Sequence, residues 1–251
     1  MTNFKQIKFP IHSALAFVLL AASHSALSHT RLDIPVVMEG VRVANNVVIS
    51  HGCGEGTNVI SESVVFPDGI DSIVKVDGVQ STNVVTDFLS NWGNLNQKIL
   101  SYNVFKHENE KTDADGNVVG FWVRDGKMPD YYTVFVPFRA GAAVIEPESC
   151  AASVKVVVAV ADICKITNIS GFAEGIVNLW TPAVGSNYDG PGLHGYNSPA
   201  TLTYTRNLET NPLPESCGGT GVAVEVIPSA AQLNRDMPIV NTDGKQIWPR
   251  P

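Results

Sequence analysis

Apolar residues along this chain fall in short runs rather than at helical spacing. Residues 36–37, 41–49, 64–66, 73–76, 131–138 and 154–163 are rich in β-branched and aromatic side chains, which suit a pleated, half-buried surface. Turn formers bound them: Pro67-Asp68-Gly69, Asp77-Gly78, Asp125-Gly126, Ala140-Gly141 and Ser170-Gly171. No apolar stripe persists at helical spacing, and 84–89 offers a single short helical turn. Many short strands with frequent turns predict an all-β chain folded as an antiparallel β-sandwich.

The polar stretches complete this pattern. KHENEKTDADGN (106–117) lies between apolar runs and reads as a mobile hairpin tip or insertion. After Trp180 the chain turns rich in Gly, Pro, Asn and Ser (TPAVGSNYDGPGLHGYNSP), then offers one more strand at 200–205. The tail, 207–251, holds Cys217, a strand-like run at 222–227 and a Pro-rich end. No internal repeat is present.

The first residues follow another rule. Lys5 and Lys8 precede an apolar run at 14–22, and no Asp or Glu occurs before His29. The run falls short of the roughly 20 residues that span a bilayer, so 1–28 reads as a secretory signal peptide. Small residues at Ala26 and Ser28 place cleavage before His29; a rival cut after Ala26 leaves Leu27-Ser28 ahead of the histidine. Losing the two leader lysines takes 17 Lys+Arg to 15, against 24 Asp+Glu, a net −9. That balance opposes nucleic acid and anionic lipid and suits cations. No later segment is long and apolar enough to anchor in a membrane, so a soluble, exported product is expected.

The four cysteines, Cys53, Cys150, Cys164 and Cys217, include no C-x-x-C pair, which disfavours a zinc ribbon or redox motif. An even number in an oxidising compartment favours two disulfides, with three pairings open. A bridge through Cys217 would staple the tail onto the body.

A histidine at a freed N-terminus is a special ligand, because its α-amino nitrogen and ring Nδ1 can grip one ion together. The amine, with an ordinary pKa near ~8, yields its proton to a metal at neutral pH. Amine and imidazole nitrogens suit Cu(II). Further along stands HGCGEGT, residues 51–57. The order His29-Thr30-Arg31-Leu32, then Val47-Val48-Ile49-Ser50-His51-Gly52-Cys53-Gly54-Glu55-Gly56-Thr57, then Val64-Val65-Phe66-Pro67-Asp68-Gly69 resembles the YcnI-like exported copper-binding proteins. Phe121-Trp122, Lys127-Met128-Pro129-Asp130-Tyr131, the strand ending at Cys164, Trp180 and Ser198-Pro199-Ala200-Thr201-Leu202 continue the likeness in order. It covers roughly 29–206. The extra glycine before Glu55, the long loop after Cys164 and the tail 207–251 depart from the family pattern.

The resemblance implies an immunoglobulin- or cupredoxin-like sandwich over 29–206, a C-terminal extension at 207–251, and a periplasmic protein that binds one Cu(II) ion for trafficking, storage or delivery rather than catalysis. Copper-transport proteins of the periplasm or membrane would be its partners. The family site, a mono-histidine brace, maps onto His29 as chelate, Glu55 as carboxylate and Trp180 as aromatic wall. The family pairing implies Cys53–Cys164, which leaves Cys150–Cys217. His51 and His194 stand as possible extra ligands, and Glu39 and Glu174 as alternative carboxylates. His107 reads as solvated, Trp92 and Trp122 as core or sheet-face residues.

Two other functions compete. A histidine-brace copper oxygenase needs a second imidazole, for which only His51, His107 or His194 is available. A structural or adhesive sandwich needs no metal. A Ser-His-Asp hydrolase lacks a G-x-S-x-G elbow, and GCGEG lacks phosphate-loop spacing.

Overall fold

The computed structural model describes residues 29–101 and 104–251. The expected leader, 1–28, lies outside the described residues. The runs of β-branched residues become strands, and the turn formers separate them. In chain order the first are β1 (Arg31–Leu32), β2 (Val36–Met38), β3 (Val43–Ile49), β4 (Asn58–Val65), β5 (Ile73–Val76), β6 (Val79–Gln80) and β7 (Asn96–Lys98). Then come β8 (His107–Thr112), β9 (Val118–Pro129), β10 (Val134–Ala140), β11 (Ala151–Ile163), β12 (Val177–Trp180) and β13 (Ala200–Thr205). The tail adds β14 (Val222–Ile227), helix α1 (Ala230–Asp236), β15 (Ile239–Val240) and β16 (Gln246–Trp248).

Two sheets face each other. One has four strands in the order β1-β3-β10-β7. The other runs β6-β5-β14-β11-β4-β9-β8, with β12 and β13 also on β11, and β2 on β13. Between them lies the main core, which includes Val47 and Ile49 of β3, Val136 and Phe138 of β10, Val158 and Val160 of β11, and Phe66 and Phe121. The expected all-β sandwich is the fold. Most pairings are antiparallel, but β14 on β11 and β2 on β13 are parallel.

β11 organises the larger sheet. Its first half pairs with β13 and β14, its second half with β12 and β4. From Val156 onward every residue is buried. Alternate residues serve different layers: Val158 and Val160 enter the main core, while Ala159, Ala161 and Ile163 enter a second core outside the sheet. A strand covered on both faces reads as one continuous apolar run, as this one does.

The second core is closed by the tail. Leu233 of α1, Met237, Ile239 of β15 and Trp248 of β16 pack against Val65, Trp122 and Leu179. Ser229 caps α1, its hydroxyl accepting from Gln232 N at 3.1 Å. Polarity hides two elements from the sequence pattern. β4 begins at Asn58 because Ser61, Glu62 and Ser63 are buried despite their polarity. The charged segment expected to be a tip is largely the strand β8, paired along β9. Its turn is shorter, and Asp113 Oδ1 closes it by accepting from Asp115 N (3.0 Å) and Asn117 N (2.8 Å). Among the described residues no helix is long and apolar enough to cross a membrane.

Candidate functional site

Where β3 leaves the sandwich, the chain turns through His51-Gly52-Cys53. A Cβ on Gly52 would stand 2.6 Å from the Thr57 carbonyl oxygen and 2.8 Å from its hydroxyl, so the turn closes only on glycine. Thr57 donates to the Gly54 carbonyl through both its backbone N (3.1 Å) and Oγ1 (2.6 Å). Gly56 N donates to the Asp130 carboxylate at 2.5 Å. Disulfide Cys53–Cys164 bolts the turn to the end of β11, and Gly175 N donates to the Cys53 carbonyl at 3.1 Å. Both implied disulfides are present; Cys150–Cys217 joins the start of β11 to the tail.

β1 pairs with β3, Arg31 opposite Val48 and Leu32 opposite Val47, which brings His29 beside this turn. Thr30 and Leu32 point inward and are buried, and His29 stays half-buried. Trp180 ends β12, opposite Val160, and is buried. The His29 and Trp180 rings lie 4.5 Å apart, tilted by 49°.

One carboxylate ties these pieces together. Asp162 Oδ2 accepts from Thr30 Oγ1 at 2.8 Å and from Trp180 Nε1 at 2.7 Å. The residue after the proposed cleavage product's first position and the indole beside that position therefore share an anchor. Burial pushes the Asp162 carboxyl up to about 6, against both hydrogen bonds and the charge of nearby His51. Its cross-strand neighbour on β4 is Glu62, also fully buried. Burial first, and Asp162 second, hold Glu62 well above the usual carboxylate range against the pull of Lys98. Among the described residues neither Glu62 oxygen nor Asp162 Oδ1 has a hydrogen-bond partner.

Two further histidines border the indole. His194 lies 4.8 Å from Trp180 edge-on, and His51 lies 6.1 Å from it, with 5.0 Å between the two imidazoles. His51 Nδ1 is 2.5 Å from the Gly52 carbonyl oxygen. The structure thus gathers His29, His51 and His194 around Trp180. Glu55 stands exposed on the turn after Cys53. Among the described residues no three His, Cys, Asp or Glu side chains are grouped to hold a metal ion.

The remaining candidates have other surroundings. Glu39 is buried and accepts from Ile145 N, Asn207 N and Asn211 Nδ2, which fixes the approach to the tail. Glu174 is exposed on the loop before β12. His107 is exposed, 3.5 Å from Asp125. Trp122 fills the second core with the Arg124 guanidinium 5.5 Å from its ring, and Trp92 covers Gly69. Sequence reasoning missed Asp162 and Glu62. The signal for Asp162 was present: it is the single acid in the apolar run 154–163, and an acid buried on a two-faced strand requires a reason.

No family model matches the chain, and no curated protein is significantly similar to it. Among solved structures, a protein from Nocardia farcinica with an immunoglobulin-like fold aligns over 70% of this chain and 98% of its own, at 12% identity and a TM-score of 0.36. A type II cohesin domain from the cellulosome of Acetivibrio cellulolyticus aligns over 72% of this chain and 94% of its own, at 12% identity and a TM-score of 0.29.

Proposed function

We propose that this chain is an exported, periplasmic copper-binding protein that stores, shuttles or delivers one Cu(II) ion gripped by a processed His29. The observation that carries this reading is the shared anchor. His29 lies against Trp180 at 4.5 Å, while Asp162 fixes both Thr30 and the Trp180 indole. A chelating terminus is floppy by default. Here its neighbour is hydrogen-bonded in the core, so the ring is positioned before an ion arrives, as a metal site requires.

The donor set suits the cargo in part. Amine and imidazole of one residue supply two nitrogens, the kind of ligand Cu(II) prefers. Trp180 supplies an apolar wall that limits access to the ion. Glu55 belongs to the reading as the charge-balancing carboxylate, carried on the exposed turn after Cys53.

The competing oxygenase reading draws on one observation, the two extra histidines at Trp180. It needs one of them in the same metal plane as His29. Both rings border Trp180, as His29 does, whereas the carrier needs only His29 and its own amine.

The test is N-terminal mass analysis of the exported protein, then Cu(II) titration followed by electron paramagnetic resonance. A chain that begins at His29 and binds Cu(II) with one imidazole in the His29 signal supports the carrier. Coupling to two imidazoles in that signal moves the reading to the oxygenase. A chain beginning at Leu27, or a His29→Ala variant with undiminished uptake, overturns both.

A further inference from the structure

His51 and His194 come from turns far apart in the chain, yet their rings lie 5.0 Å apart at 70° to each other. We propose that this pair forms a second metal position beside the Trp180 indole that holds a late first-row ion such as Cu(II) between two neutral imidazoles. It stands apart from the reading above, because neither ring depends on a freed N-terminus.

The spacing is that of two ligands on one ion. A metal–imidazole bond of about 2.0 Å puts the ring centre roughly 3.1 Å from the metal, so two rings at about 90–110° stand roughly 4.5–5.2 Å apart. The His51 tautomer also fits. A carbonyl oxygen only accepts, so the 2.5 Å contact from Nδ1 to Gly52 places the proton on Nδ1 and makes Nε2 the lone-pair nitrogen. That same carbonyl accepts from the buried Asn178 Nδ2 at 3.2 Å, which ties the imidazole's orientation to β12. Outer hydrogen bonds of this kind fix the rings of metal-binding histidines.

His194 is held from the other side. Leu179 N donates to the His194 carbonyl at 2.9 Å. Gly195, at φ 93°, lies so close that a Cβ would stand 2.7 Å from the Leu179 carbonyl and 2.8 Å from Trp180 Cδ2. The His194 backbone is therefore pressed onto the end of β12. His194 is exposed and His51 half-buried, so an ion reaches them from solvent with water as its remaining ligands.

The experiment uses two forms of the mature, oxidised chain: one beginning at His29, and one with a single N-acetylated glycine added before it, which removes the chelating amine. Each is titrated with Cu(II) by calorimetry. The His29 form is expected to take up two equivalents and the glycine-extended form one. In the extended form, His51→Gln with His194→Gln is expected to abolish that remaining equivalent. In the unsubstituted extended form, traces of Cu(II) are expected to broaden the ring signals of His51 and His194 before that of His107, a readout independent of any variant. An extended form that binds no Cu(II), retains its equivalent in the double variant, or shows no selective broadening overturns the second position. If both forms bind one equivalent, the pair stands and the His29 chelate fails.

Discussion

At the scale of single residues, the chemistry turns on Asp162 and the groups that face it. Oδ2 serves two donors far apart in the chain, Thr30 Oγ1 ahead of β1 and Trp180 Nε1 at the end of β12. Trp180→Phe keeps an aromatic ring in the core but removes one donor from a buried carboxylate. A lost hydrogen bond to a buried polar group costs about 1–3 kcal/mol. Urea unfolding at fixed pH should show a decrease of that size; an unchanged midpoint would show that the shared anchor contributes nothing. Glu62, beside Asp162, makes a separate claim on pH. Its carboxyl is held well above the ordinary range by burial and by Asp162, with only Lys98 opposing. The native state therefore keeps a proton that the unfolded chain releases. The stability Glu62 contributes is complete below the ordinary carboxylate pKa, about 4.3, and is lost as pH rises through the raised value. Glu62→Gln should flatten this decline and leave the protein more stable than wild type at pH 8, by on the order of 1 kcal/mol or more, since an unpaired buried charge is removed. Parallel pH series of unfolding free energy check it, and identical slopes in the two proteins would refute the account.

At the scale of elements, two tight turns carry the histidines, and each depends on one glycine. Gly52 closes the turn bearing His51, and Gly195 lets the loop bearing His194 lie on β12. At Gly195 both space and backbone conformation exclude a side chain, because φ is 93° and the nearest atoms are backbone. Gly195→Ala should cost about 1–3 kcal/mol through overpacking and strain. It should also weaken Cu(II) uptake in the glycine-extended chain while leaving the His29 equivalent intact, as paired calorimetric titrations would reveal. Equal loss at both positions would mean that the loop acts on Trp180 instead. These turns also show what could be read in advance. β2, β5 and β13 follow directly from the runs that the sequence pattern marks. β4 and β8 were obscured because polar residues within them take tertiary partners: Ser63 Oγ donates to Met237 O at 2.6 Å, and Glu108 pairs with Lys98 at 2.6 Å. The family resemblance put His29 with Trp180, whereas Asp162 gained its meaning only when Thr30 and Trp180 met at its carboxylate.

At the scale of the whole molecule, the tail is woven into the sandwich as well as tethered to it. β14 lies between β5 and β11, its Val224 and Val226 in the main core. α1, β15 and β16 cover the second core, where Trp248 is fully buried. Arg206, at the junction, donates to the carbonyls of Pro147, Ser149 and Ala151 on one side and of Asn211 and Pro212 on the other. Two variants separate tether from fold. Cys150→Ser with Cys217→Ser removes only the cross-link, and losing a native disulfide typically costs about 2–5 kcal/mol, so this protein should unfold cooperatively at lower denaturant with its copper uptake preserved. A chain ending at Arg206 loses far more: β5 and β6 are left without the strand that joins them to β11, and Val65, Trp122 and Leu179 are exposed to water. That chain should aggregate or show no cooperative transition, because an open strand edge beside an uncovered apolar face invites association. If instead 29–206 unfolds in one sharp transition and still takes up Cu(II), the sandwich is complete without its tail, and β14 is an accessory rather than a central strand.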